Sequence, residues 1–227
     1  MAGLPDRLRG KFRVVLPLSP LLLCSALLTE ALLASNLVSA CQSTFDCTHF
    51  WPTLSYIAAF KGHDRVFSLA LSLQSWTLVV FFLAAQTYYR PLVSREAHYL
   101  MLGAGCLLSA VLPWIGVLDE VNTASGVALE KVHYWLVVAA LFLTGMWSIL
   151  SLEVEGSHLV QRYMKTVWAI TCFSVIQWTF ADSVYSSSVL NSDLEALSEW
   201  TAVSLGVFAP FVYSRTWPKC EFWLQTS

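Results

Sequence analysis

The chain has 227 residues, 56% of them hydrophobic and 12% charged, with a mean hydropathy of +0.60 and a formal net charge of −2. A soluble domain carries about a quarter charged residues, so 15 acidic and 13 basic side chains cannot cover a water-facing surface of this size. A soluble enzyme, a disordered tail and a nucleic-acid reader are thereby excluded, the last also by the missing positive charge.

The composition is that of an integral membrane protein, whose unit of organisation is the spanning helix. A crossing needs about 17–25 mostly apolar residues. Six stretches qualify in chain order: Val14–Ala40, Val66–Tyr88, His98–Leu118, Val132–Leu152, Thr166–Tyr185 and Ala196–Ser214. Gln177, Asp182 and Glu199 interrupt the last two. No stretch alternates with period two over the length of a barrel strand. The expected fold is therefore an all-α, six-helix transmembrane bundle forming a single membrane domain over residues 1–227, with connectors too short for a separate catalytic globule.

Basic residues collect on the cytoplasmic side of membrane proteins. Ten of the 13 lie in the amino-terminal segment (Arg7, Arg9, Lys11, Arg13), the second and fourth connectors (Arg90, Arg95, Arg162, Lys165) and the tail (Arg215, Lys219). Lys61, Arg65 and Lys131 fall on the other side. Both termini are thus expected in the cytoplasm, with three lumenal loops. The first run also has the outline of a signal peptide ending at Val38-Ser39-Ala40. Its length far exceeds the usual 7–15 apolar residues of such a segment, and it contains Glu30 and Asn36, so it is read as a retained span.

Cys41 and Cys47 share the first lumenal loop and are candidates for a disulfide in an oxidising compartment. Cys24, Cys106 and Cys172 fall inside spans, where a thiol packs as a small apolar group. Cys220, on the tail, is a candidate for palmitoylation or simply a free thiol. No zinc-type Cys/His spacing occurs, and neither a metal nor another cofactor is expected. Small residues Gly103, Ala104 and Gly105 are expected to let the third span approach a neighbour closely.

Polar groups in or beside hydrocarbon are costly and are functional candidates. Glu30, Gln74, Gln86 and Gln177 lie within spans, where the competing explanation is interhelical hydrogen bonding. The lumenal ends are richer. His49, His63, Asp64 and Arg65 precede or open the second span, His133 opens the fourth, and Glu199 opens the sixth. Equal depth would bring His63, Asp64 and Arg65 towards Glu199 and His133. Arg65 would then pair with Glu199 or Asp64, or bind a lipid phosphate through its fork of N–H donors. The alternatives are a structural ion pair and a solvated rim. No nucleophile elbow, Walker loop or HExxH motif is present.

Four sequence features together resemble the FRAG/DRAM/Sfk family of six-span membrane proteins over essentially the whole chain. They are Pro52-Thr53-Leu54-Ser55 in a Cys-bearing first loop, His63-Asp64-Arg65-Val66-Phe67, Leu118-Asp119-Glu120 leading to His133, and Glu199-Trp200-Thr201. The post-GPI-attachment branch is the most similar. That resemblance implies GPI-anchor lipid remodelling at the lumenal face of Golgi or ER membranes, with a membrane lipid or GPI anchor as partner and no nucleic acid. It is compatible with a catalyst and with an accessory factor. The other branches imply a non-enzymatic regulator of autophagy or phosphoinositide signalling, in lysosomal or plasma membranes. The Pro52–Ser55 loop departs from the Pro-Tyr-Ile-Ser-Asp form of the autophagy branch.

Overall fold

A computed structural model describes residues 18–48, 51–58, 60, 62–117, 128–184 and 189–217, with the two-residue strands β1 (Arg13–Val14) and β2 (Phe222–Trp223). Among these residues the regular structure is helical apart from the β1–β2 pair. Seven helices follow one another: α1 (Leu18–Ser43), α2 (Leu54–Ala58), α3 (His63–Tyr89), α4 (Arg95–Val117), α5 (Ala128–Val154), α6 (His158–Val184) and α7 (Val189–Ser214). Four are long and apolar enough to cross a membrane: α1, α3, α4 and the Trp135–Val154 part of α5.

The six long helices coincide with the six apolar runs, but their ends differ. The first was expected from Val14, which instead pairs antiparallel with Phe222. Pro17 disfavours helix in the residue before it, and Pro20 falls in the first turn, where a missing N–H is tolerated, which suits a helix starting at Leu18. Helices α3, α5, α6 and α7 begin three to eight residues earlier than their apolar runs. Hydropathy sees only the apolar part, whereas the backbone ladder continues into polar turns. Leu118, Tyr185, His49, Cys220 and the loop around Asp119 and Glu120 lie outside the described residues.

Close backbone packing pairs α3 with α4, α4 with α5, α6 with α7, and α1 with both α3 and α7. The order around the bundle is therefore α5, α4, α3, α1, α7, α6. The ends of this arc, α5 and α6, are joined by a short turn but do not pack closely against each other among the described residues. At α3–α4 the contact depends on two glycines. A Cβ at Gly105 would stand 2.6 Å from the Phe82 ring, and one at Gly116 would stand 2.8 Å from the Ser68 Cα. Gly103, expected to help, has nothing within 4 Å of its Cβ position.

Two helices carry internal prolines, Pro113 in α4 and Pro210 in α7. A proline deprives the carbonyl four residues earlier of its donor. In α4 that carbonyl belongs to Ser109, and the Ser75 hydroxyl of α3 donates to it at 2.5 Å. In α7 the Tyr163 hydroxyl donates to the Leu205 carbonyl beside the corresponding position.

At the end of the bundle that holds the α5–α6 turn, Phe81, Phe82, Tyr88, Tyr89, Trp147, Tyr213 and Trp217 form one ring cluster. Its centroid separations run from 4.9 Å (Tyr88–Tyr89) to 6.0 Å (Tyr89–Trp147). The outer surface is apolar, with Trp76 72%, Ile149 71% and Phe142 68% exposed. Cys24, Cys106 and Cys172 lie within long helices, on this outer surface.

Candidate functional site

The arc of helices encloses a cavity of about 570 Å³, mostly apolar, lined by side chains of α3 to α7 and by the Trp51–Leu54 segment with Tyr56. Its volume is in the usual range of small-molecule sites, about 300–1,000 Å³. At one end stand His133 of α5 and Glu195 and Glu199 of α7; at the other stand Phe81, Phe82, Trp147, Ser148 and Tyr213. His133 and Ser148 are 15 residues apart on α5, which at 1.5 Å per residue gives a depth of about 22 Å. Glu199 to Tyr213 on α7 gives about 21 Å. The cavity is thus a long slot, polar at its mouth and closed by the aromatic cluster at its floor.

The mouth is built from two segments distant in sequence. Glu199 Oε2 accepts the Leu54 backbone N–H at 3.2 Å. The Trp200 indole N–H donates to the Pro52 carbonyl at 3.2 Å, and Asp193 Oδ1 accepts the Trp51 N–H at 2.8 Å. The Thr53 side-chain oxygen accepts the Tyr56 N–H at 3.1 Å, an N-cap for α2. Acceptors at the start of a helix satisfy its orphan N–H groups, which is why an acidic residue of α7 can fasten this flap. The Pro52–Ser55 and Glu199–Thr201 motifs are therefore one spatial unit.

The five residues expected to converge divide into two groups. His133 and Glu199 both line the cavity, and His133 is buried. His63 is buried elsewhere, between α1 and α3. Its Nδ1 is 3.0 Å from Asn36 Oδ1, and Asn36 Nδ2 donates to the His63 carbonyl at 3.1 Å. The second bond fixes the amide orientation, so Nδ1 carries the ring proton and Nε2 accepts from the Thr44 hydroxyl at 3.3 Å. Asp64 Oδ1 accepts the N–H of Gly62 at 2.8 Å, a glycine held at φ +103° where only a residue without Cβ sits freely. Arg65 is exposed on α3 and is not among the residues that line the cavity with Glu199. No arginine or lysine lines the cavity among the described residues. The expected phosphate fork gives way to a mouth of two carboxylates and an imidazole.

Cys41 and Cys47 form a disulfide, with Cα atoms 5.4 Å apart. The bridged loop, the His63 clamp and the tilted and edge-to-face rings of Phe45, Tyr56 and Phe60 adjoin the flap over the mouth. Glu30 takes another place: its Oε2 accepts the Ser204 hydroxyl at 3.0 Å, tying α1 to α7. Inside the slot Gln74 Oε1, Trp147 Nε1 and Ser148 Oγ have no hydrogen-bond partner among the described residues.

One polar cluster escaped the sequence reading. Glu155, in the α5–α6 turn, is 3% exposed. Its Oε2 accepts the Tyr89 hydroxyl at 2.8 Å and its Oε1 the Ser157 N–H at 3.0 Å, while Gln161 donates to its carbonyl at 2.6 Å. Tyr213 and Ser151 share a further hydrogen bond at 3.0 Å. These bonds lock the floor of the slot. The available signal was a carboxylate followed by Gly156 and Ser157 between two apolar runs. Family models, curated proteins and solved structures contain no match to this chain.

Proposed function

We propose that the protein is a six-span GPI-anchor lipid-remodelling factor of Golgi or ER membranes, with both termini in the cytoplasm and the slot opening to the lumenal face. The observation that carries this reading is the slot itself: an apolar interior about as deep as an extended fatty chain, under a polar mouth beside a disulfide-bonded loop. Disulfides persist in oxidising compartments, and the loop's disulfide stands at the mouth end. The ten basic residues of the other side carry the same orientation. The antiparallel pairing of Arg13–Val14 with Phe222–Trp223 agrees with termini on one side and an even number of crossings. Helices α6 and α7, with 27 and 26 residues, are long enough to cross despite their polar residues.

In this reading the acyl chain fills the slot while the head group rests at Glu195, Glu199 and His133. Carboxylates and an imidazole accept from hydroxyls and amines, which the inositol and amino-sugar core of a GPI anchor supplies. The flap at Trp51–Tyr56 covers the reacting region from water. The short cytoplasmic connectors favour this lumenal role over docking of a large cytoplasmic partner. Deleting the gene and measuring surface GPI-anchored protein and the acyl composition of its anchors tests the proposal. Altered chains on a retained anchor are expected; normal abundance with normal chains rejects it in favour of a regulatory role.

A further inference from the structure

We infer that a membrane lipid loads one acyl chain into the slot sideways, through the gap between α5 and α6, and that the Trp168 indole resting on Gly145 is the leaf closing that gap. The inference deepens the function proposed above and rests on α5 and α6 being spans.

The packing leaves this one seam weak. Helix α5 is held by α4 and helix α6 by α7, but α5 and α6 diverge from their shared turn without close backbone contact among the described residues. Both send side chains into the slot across the seam: Val137, Leu141 and Thr144 from α5, and Val167 and Thr171 from α6. The slot therefore reaches towards the outer surface here, with no backbone of the described residues crossing its path. On either side of the seam the outer faces are strongly apolar, with Phe142 68%, Ile149 71% and Phe173 45% exposed. Whatever stands outside such a seam in a bilayer is hydrocarbon, so the occupant that enters is an acyl chain.

One side chain bridges the seam. The Trp168 ring lies so close to α5 that a Cβ at Gly145 would meet its Cη2 at 3.3 Å. Trp168 is half-buried and lines the slot. The indole thus covers the seam by contact with bare backbone, and a rotamer change uncovers it without moving a helix. Exposed side chains make such changes in picoseconds to nanoseconds and partly packed ones more slowly. The depth also suits the chain. A hydrocarbon core is about 30 Å thick, so one leaflet's chains occupy about 15 Å, and a slot of about 22 Å accepts a chain of that leaflet in extended form. The aromatic floor at Phe81, Phe82 and Trp147 stops its tip.

The test uses the purified full-length protein in phosphatidylcholine vesicles. They contain a trace of phosphatidylcholine with a diazirine at the end of one acyl chain. After brief irradiation, adducts are mapped by peptide mass spectrometry. Adducts are expected on residues at and just above the slot's floor, such as Trp147, Ser148, Thr144 and Met164. Trp168→Ala should raise their early yield severalfold, Trp168→Phe should fall between, and Thr144→Trp, which fills the seam from the other side, should cut it about tenfold. Adducts confined to outer-face residues such as Phe142 and Phe173 overturn the inference. Slot adducts whose rate none of the three variants changes overturn the seam as the route. Because the probe carries no glycan, slot adducts in a protein whose deletion leaves GPI anchors normal would keep this inference and reject the GPI reading alone.

Discussion

His63 and Arg65 are two residues apart, yet one is locked inside and the other faces out. A separation of two residues turns about 200° around a helix. The buried positions of α3 include His63, Phe67, Ala70, Leu71, Gln74 and Leu78, which recur at helical spacing. Arg65 is off that stripe. Its predicted contribution is accordingly small: Arg65→Lys and Arg65→Ala should both accumulate and remodel lipid like the wild type. Loss of activity without loss of protein in Arg65→Lys would restore the phosphate-fork reading. His63→Ala, by contrast, removes a buried hydrogen-bonding ring and orphans Asn36 Oδ1, while Asn36 Nδ2 keeps its bond to the residue 63 carbonyl. A cost of about 1–3 kcal/mol is expected, seen as a lowered thermal midpoint of the detergent-purified protein. Glu199 has two duties that substitution separates. Glu199→Gln keeps an oxygen for the Leu54 N–H, so the protein should accumulate normally while losing the mouth's charge and much of its remodelling activity. Full activity in that variant would reduce Glu199 to a fastener of the flap.

At the scale of elements, the close approach of α3 and α4 is the most demanding contact. Gly116→Ala drives a methyl against the Ser68 backbone, which cannot swing aside as a side chain can. Overpacking of this kind costs about 1–3 kcal/mol. Gly103→Ala, with open space at its Cβ, should be neutral in the same thermal assay, and equal losses from the two would contradict the packing described. The existence of the six long helices was legible because hydropathy is summed along the chain and needs no knowledge of neighbours. Which glycine matters was not, because Gly103 and Gly105 differ only in the face they present. The same holds for the site. Charge suggested a common depth for His133 and Glu199, and both side chains line the cavity. Azimuth was not used, and it separates Arg65 and His63 from that mouth. The floor escaped notice because Tyr88, Tyr89 and Tyr213 look like ordinary interfacial aromatics until Glu155 is placed among them.

The whole molecule is an arc of helices closed by hydrogen bonds at both ends: the flap bonds of Glu199, Trp200 and Asp193 at the mouth, and the Glu155 and Tyr213 bonds at the floor. Between them the slot is held open by the separation of α5 from α6. The proposed orientation rests on charge and the disulfide, and glycosylation acceptors test it. Acceptors placed near Ser125 and Ser187 should be modified and one near Ser94 should not; modification at Ser94 alone would invert the molecule. The central claim, that the slot holds the acyl chain being remodelled, is tested most directly by filling it. Val203 lines the slot from α7, and Val203→Trp would block it about 6 Å below the mouth, one turn from Glu199 and well above the floor bonds. In cells lacking the gene, the acyl composition of GPI anchors should be restored by the wild type and not by Val203→Trp expressed at equal level. Full restoration by the filled variant would contradict the account.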